Sequence, residues 1–264
     1  MILKPRLFRK PRKGHWATKG LVGLWLFNEG PGNTKVFDLS GNGIIGTKTG
    51  AIWKPAKFGS GIDFIANTDT IVFSPLPTVF TSRFTIIIWY KGDTILAADD
   101  NNLFTDWTSE QLFLTRIDTV SSKIACFTKM GSGGDTQYGG DFTGSTITLN
   151  AWEQIVFVND GVKLKAYINA ILSGTDFNVA GTFSQSATTV TMGDENDTGL
   201  DGKIDHVMIF NRALSASEIS QLYLNPFCMF ERDPIELWVG ATSVGVPPVG
   251  MAGAMTTNSG YWGW

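Results

Sequence analysis

A chain of 264 residues with 43% apolar and only 17% charged side chains is too apolar for a disordered protein, and its 30 Gly, 18 Phe and 10 Pro suit many short strands joined by tight turns. The formal net charge of −3 is unevenly divided: Lys4, Arg6, Arg9, Lys10, Arg12, Lys13 and Lys19 give +7 before any acid occurs, while the remaining 244 residues hold 14 basic and 24 acidic side chains, a net of −10. The body is therefore expected to repel nucleic acid and anionic membranes, the leading arm to attract acidic partners, and the chain to lack a membrane span, since no run of ~20 apolar residues occurs.

In chain order, residues 1–19 read as a basic arm with too little apolar surface for a core, expected to be extended or disordered when alone. The opening "MILKPRLFRKPRKGHWATKG" has no apolar stretch of a Sec-type leader, so synthesis in the cytoplasm is the expectation. Residues 20–232 form the body. Within it, β-branched and aromatic runs recur between Gly, Asn, Asp and Pro clusters: "LVGLWLF", "GIDFI", "TIVF", "RFTIIIWY", "QLFLTRI", "SKIACFT", "STITL", "WEQIVFV", "VKLKAYI", "TTVTM" and "KIDHVMIF". So many strands imply two sheets. Asp160-Gly161 predicts a two-residue hairpin turn joining 153–159 to 163–168. Ser215, three residues before Glu218, predicts a capped helix that docks through Ile219, Leu222 and Tyr223 and ends at Asn225-Pro226. The two cysteines, Cys126 and Cys228, fit no metal or redox spacing and read as free thiols. From 233 to 264 runs a Gly-rich tail, uncharged after Glu236, whose apolar surface favours association; with the arm it makes a homo-oligomer the expectation.

Four segments carry a family resemblance. They are "GLVGLWLFNEGPGNTKVFDLSGNGIIGTKTGAIWKPAKFGSGIDF" at 20–64, "FTIIIWYKG" at 84–92, "NAWEQIVFVNDGVKLKAYINAILSG" at 150–174 and "MGDENDTGLDGKIDHVMIFNRALSASEISQLY" at 192–223. In this order they resemble the laminin G-like jelly-roll domains of the concanavalin A-like lectin and glucanase superfamily. The resemblance implies an all-β, two-sheet antiparallel jelly-roll sandwich with one short helix near the end of the body. Asn169-Ala170 stands where the family has Asn-Gly, which implies a looser hairpin or another turn type.

Glucanases of this fold set carboxylates two and four residues apart on one strand, because a retaining glycosidase needs two carboxyls about 5 Å apart. No Glu here has such a partner, Asp201 and Asp205 are separated by Gly202, and His206 reads as a strand-surface histidine; the chain is read as not an enzyme. Asp205, in an apolar strand, needs its charge compensated. The resemblance implies a structural Ca2+ held by Glu29, Asp38, Asn42 and Asp205. The alternative is that Asp38 and Asn42 make Asx-turn hydrogen bonds and Asp205 bonds backbone amides; the sequence leaves both open. A second acidic loop, 193–201, reads as solvated.

Two functions fit. One is a virion structural protein in which the sandwich is a building block and the arm and tail direct assembly. The other is a glycan-binding module; Trp107 and Tyr138, each among turn-forming polar residues, are its candidate sugar platforms, though either could instead pack under its own loop. An adhesion domain or a divergent glycoside hydrolase is a weaker alternative.

Overall fold

The computed structural model describes residues 2–65, 68–75, 83–94, 101–105, 114–118, 121–130, 136–174, 176–180, 189–193 and 199–230. The chain divides into two units, Met1–Arg232 and Asp233–Trp264, and the second lies outside the described residues. Seventeen strands are present among the described residues. They are β1 (Leu21–Trp25), β2 (Lys35–Val36), β3 (Ile45–Thr49), β4 (Ile52–Ala56), β5 (Gly59–Phe64), β6 (Thr70–Ser74), β7 (Phe84–Gly92), β8 (Asn101–Thr105) and β9 (Leu114–Ile117), followed by β10 (Lys123–Met130), β11 (Thr136–Thr146), β12 (Glu153–Asn159), β13 (Lys163–Ile168), β14 (Ile171–Leu172), β15 (Phe177–Asn178), β16 (Val190–Gly193) and β17 (Gly202–Phe210). One helix, α1 (Ala216–Leu224), follows the last strand.

The strands make two antiparallel sheets. One runs β14-β13-β12-β7-β17-β5-β4, with β1 added beside β17 and β15 beside β13; the other runs β11-β10-β9-β8-β16-β6-β3-β2. This is the two-sheet jelly-roll sandwich that the sequence implied. Alternation assigns the faces. On β7, Phe84, Ile86, Ile88 and Tyr90 enter the core between the sheets with Trp25, Phe73, Phe104 and Phe157, while Ile87 and Trp89 point the other way.

That other face of the nine-stranded sheet carries a second hydrophobic layer. Leu21, Leu24, Trp89, Val156, Met208 and Phe210 are covered there by Ala17, Leu214, Ile219, Leu222, Phe227 and Met229. Helix α1 docks through Ile219 and Leu222, both fully buried, and through Tyr223, whose ring stacks on Trp89 at 5.6 Å and 5°. Its start is the expected capping box: Ser215 Oγ accepts the Glu218 amide while the Glu218 carboxylate accepts the Ser215 amide. Arg212 pairs with Glu218 at 2.8 Å and donates to the carbonyls of Trp16 and Lys19, so the arm and the helix are clasped together.

The arm therefore belongs to the folded unit. The Lys4 amide donates to Phe58 O, the Arg12 amide to Met229 O, and Asn28 Nδ2 to Pro5 O. Its side-chain charges divide accordingly: Lys10, Arg12, Lys13 and Lys19 are exposed, whereas the Lys4 side chain is 4% exposed.

Two turns differ from their sequence reading. The 153–168 hairpin pairs as expected, but Asp160 and Lys163 bond across the end of the ladder, so Gly161-Val162 is the two-residue loop. Gly161 has φ of 87°, as the first position of a type II′ turn requires, and Asp160 Oδ1 accepts the Val162 and Lys163 amides. At the next hairpin Asn169 and Ala170 both have positive φ, 53° and 65°, the signature of the type I′ turn that Asn-Gly normally makes. The turn is kept because Asn169 is bound from outside it: its Oδ1 accepts the Gln154 amide and its own amide donates to Gln154 O.

Candidate ligand groove and the buried arm contact

The arm, α1 and residues 227–230 cover the central strands of the nine-stranded sheet, whereas among the described residues part of the outward face of the eight-stranded sheet is exposed. A groove of about 420 Å³ lies there, lined by Lys35, Ile45, Thr47, Thr49, Val72 and Ser74. The lining follows from the pleat. On β3, Ile45, Thr47 and Thr49 face out while Gly46 faces in, where a Cβ would meet Val36 at 2.3 Å and Phe73 at 2.8 Å. On β6, Val72 and Ser74 face out while Ile71 and Phe73 enter the core. Register sets Ile45 opposite Ser74 and Thr47 between Lys35 and Val72; Lys35 Nζ donates to Thr47 Oγ1 at 2.7 Å. The groove thus offers hydroxyls and an ammonium beside two aliphatic patches, and no carboxylate.

Trp107 lies outside the described residues. Tyr138 is half-buried on β11, its side chain packed against the core between the sheets.

Glu29, Asp38, Asn42 and Asp205 are not gathered into one ligand set, and among the described residues no three His, Cys, Asp or Glu side chains group to hold a metal ion. Asp38 is already filled: its Oδ1 accepts the amides of Leu24 and Ser40, and its Oδ2 those of Asn42, Gly43 and Ile44 together with Ser40 Oγ at 2.7 Å. A carboxylate has about four lone-pair sites, so little is left for a metal ion. Asn42 Nδ2 donates to Val22 O, and Glu29 Oε1 accepts the Phe37 amide. Burial pushes the Glu29 carboxyl above its ordinary range, against the backbone amides of Phe37, Glu29 and Asn28 and the charge of Lys4.

The charge that Asp205 needs comes from the arm. Lys4 Nζ sits 3.0 Å from Asp205 Oδ1, donates to Asp205 O at 2.6 Å, and donates to Ser60 O. The Phe58 amide donates to Asp205 Oδ2 at 2.9 Å, and His206 Nδ1 lies 2.7 Å from Oδ1. A register shift in β17 between Ile204 and Val207 breaks the strict alternation here. His206 is thus not the strand-surface residue that alternation suggested. It is fully buried among Phe58, Trp89 and Phe227, because the second layer covers this face. Burial, the largest influence, holds the His206 imidazole below its ordinary value, with Lys4 adding to it and Asp205 opposing. The same burial pulls the Lys4 ammonium down to about 8 against the pull of Asp205. Burial also works to raise the Asp205 carboxyl, but the hydrogen bond and charge of His206, the charge of Lys4 and the Phe58 amide together hold it low.

No paired carboxylates of glucanase type appear among the described residues. Asp201, in the loop before β17, accepts from Thr94 Oγ1, and Asp205 lies buried under the arm. Asp63 and Asp93 are bridged by Lys203, whose ammonium pairs with both.

A family model described as the concanavalin A-like lectin/glucanases superfamily matches residues 66–220, more than half of the sequence. The chain belongs to this superfamily. Solved structures in which this lectin/glucanase sandwich recurs include the binding domain of Paraclostridial Mosquitocidal Protein 1, at 18% identity and a TM-score of 0.61 over 77% of this chain and 52% of that one. Domain 4 of AbnA, an extracellular arabinanase from Geobacillus stearothermophilus solved with arabinotriose, matches at 19% identity and 0.60 over 77% and 98%. The binding domain of botulinum neurotoxin DC in complex with SialylT matches at 12% and 0.61 over 78% and 52%. The chain spans about half the length of the toxin domains and nearly all of the arabinanase domain. At these identities the likeness shows the fold. Among curated proteins, none matches.

Proposed function

We propose that this superfamily member is a non-catalytic glycan-binding module that takes its ligand on the outward face of the eight-stranded sheet. The observation that carries the reading is the asymmetry of coverage among the described residues: the arm, α1 and residues 227–230 cover the centre of one sheet, while the other has an open groove of hydroxyl, ammonium and aliphatic groups. Such a lining suits a sugar, whose hydroxyls bond Thr47, Thr49, Ser74 and Lys35 and whose C–H faces lie on Ile45 and Val72. The arabinotriose and SialylT complexes of the two neighbours support this ligand class. A glycan array followed by calorimetry on the best binder tests it. Thr47→Val and Ser74→Ala should each weaken binding roughly fivefold to tenfold, the worth of a lost hydrogen bond, with an unchanged melting point. Silence across the array, or affinity untouched by both variants, would overturn the proposal.

A building-block role in a virion would draw on the exposed Lys10, Arg12, Lys13 and Lys19 to hold an acidic partner. Sedimentation that gives the same species for the full chain and for one with these four changed to Ser would dismiss it.

A further inference from the structure

The superfamily's implied calcium does not fit these residues, and the reason points to what takes its place. Around Lys4 Nζ stand Asp205 Oδ1, Asp205 O and Ser60 O, three oxygens for the three protons of an ammonium. Glu29 is close enough for its charge to act on Lys4, and among the described residues its buried Oε2 has no hydrogen-bond partner. An all-oxygen surround of carboxylate and backbone carbonyls is what a hard cation prefers. It joins the chain's early turn, the β5 entry and the closing strand, and it has been filled by a side chain.

We propose that Lys4 is the resident cation of this site, a charge tethered to the arm that does the structural work of a metal ion. Two consequences separate a tethered cation from a free one. A chelator cannot remove it, and its occupancy depends on the arm being seated, so the first residues of the chain become a condition of the body's stability. Without Lys4 the Asp205 carboxylate stays buried with the Phe58 amide and His206 Nδ1 as its remaining contacts and loses its lysine partner. A lone buried charge is far more costly than the absence of both partners.

The test is a melting series on the full chain. The unaltered protein should keep its melting point in millimolar calcium chloride and in EDTA. Lys4→Met should lower it by roughly 10 °C, as expected for one broken buried ion pair in a domain of this size. Adding Asp205→Asn to Lys4→Met should restore at least half of that loss, because the uncompensated charge is then gone. If Lys4→Met does not fold, recovery of soluble, cooperatively melting protein on adding Asp205→Asn is the same rescue. A melting point that calcium raises in the unaltered protein, a Lys4→Met variant that melts with it, or a double variant no better than the single one would each overturn the proposal.

Discussion

Replacing Asp38 by alanine removes the acceptor on which the 38–44 turn is wound. Five backbone amides point at this carboxylate, and the worth of each depends on what replaces it. The amides of Asn42 and Gly43 lie at the exposed tip, where water substitutes at little cost, and the Ile44 contact is long at 3.4 Å. The amide of Leu24 is different. Leu24 is fully buried in β1, and a buried donor left without its charged acceptor costs about 1–3 kcal/mol. Adding about 1 kcal/mol for the Ser40 amide and the loosened turn gives about 3 kcal/mol for Asp38→Ala. In a domain of this size that lowers the melting point by roughly 6–12 °C. Asp38→Asn keeps one oxygen for Leu24 and should lose about half as much. Urea and thermal unfolding measure both variants. A loss below about 1 kcal/mol for alanine, or asparagine no better than alanine, would refute the view that amide binding is what this acid is for.

Ser215→Ala should cost about 1 kcal/mol by removing one half of the capping box, and Ser215→Asp should recover most of it; equal unfolding midpoints for serine and alanine would show that Arg212 and the packing of Ile219 hold the helix start alone. The buried His206 makes stability depend on acid. Its folded-state value lies below the ordinary 6.5, so its contribution is complete above that pH and is lost as the pH falls and the unfolded chain takes up a proton that the native imidazole refuses. The groups facing it are Asp205, Lys4 beyond that carboxylate, and Lys57, which lies over the Trp89 ring at 4.5 Å. His206→Asn keeps a donor toward Asp205 and removes the titration, so its stability deficit should shrink between about pH 7 and pH 5, and a constant deficit would remove His206 as the source.

Much of the frame was legible because its central strands are continuous β-branched and aromatic runs. Residues 84–90, 153–158 and 204–210 are buried on both faces, and such strands announce themselves whatever covers them. The edges were not legible. β11 carries Gly139, Gly140 and Gly144 in a polar stretch, so only its end, Ser145 and Thr146, fell inside a recognisable run. β4 holds Pro55, which local propensity assigns to a turn and which the sheet accommodates on its outermost strand. The hairpin at Asp160 was placed one residue early, because a II′ loop puts Gly first where Asp-Gly suggested Gly second. At the site, the need for a cation beside Asp205 was readable from the apolar strand around it. Its source was not, since Lys4 is 201 residues away and nothing local to either position records the pairing. The groove was hidden for a related reason. Thr47, Thr49 and Val72 alternate with inward residues as in any half-buried sheet, and that alternation does not record which neighbouring strands bring Lys35 and Ser74 beside them.

The Arg12 amide bonded to Met229 O brings the entry and exit of the body within one hydrogen bond of each other, on the layer that covers the nine-stranded sheet. The groove lies on the outward face of the other sheet. A body threaded into a longer chain, or tethered to a scaffold through either of these segments, would hang from its covered side and present the groove outward. Several copies strung in series could then display their grooves without occluding them, and a weak site could gain apparent affinity from number alone.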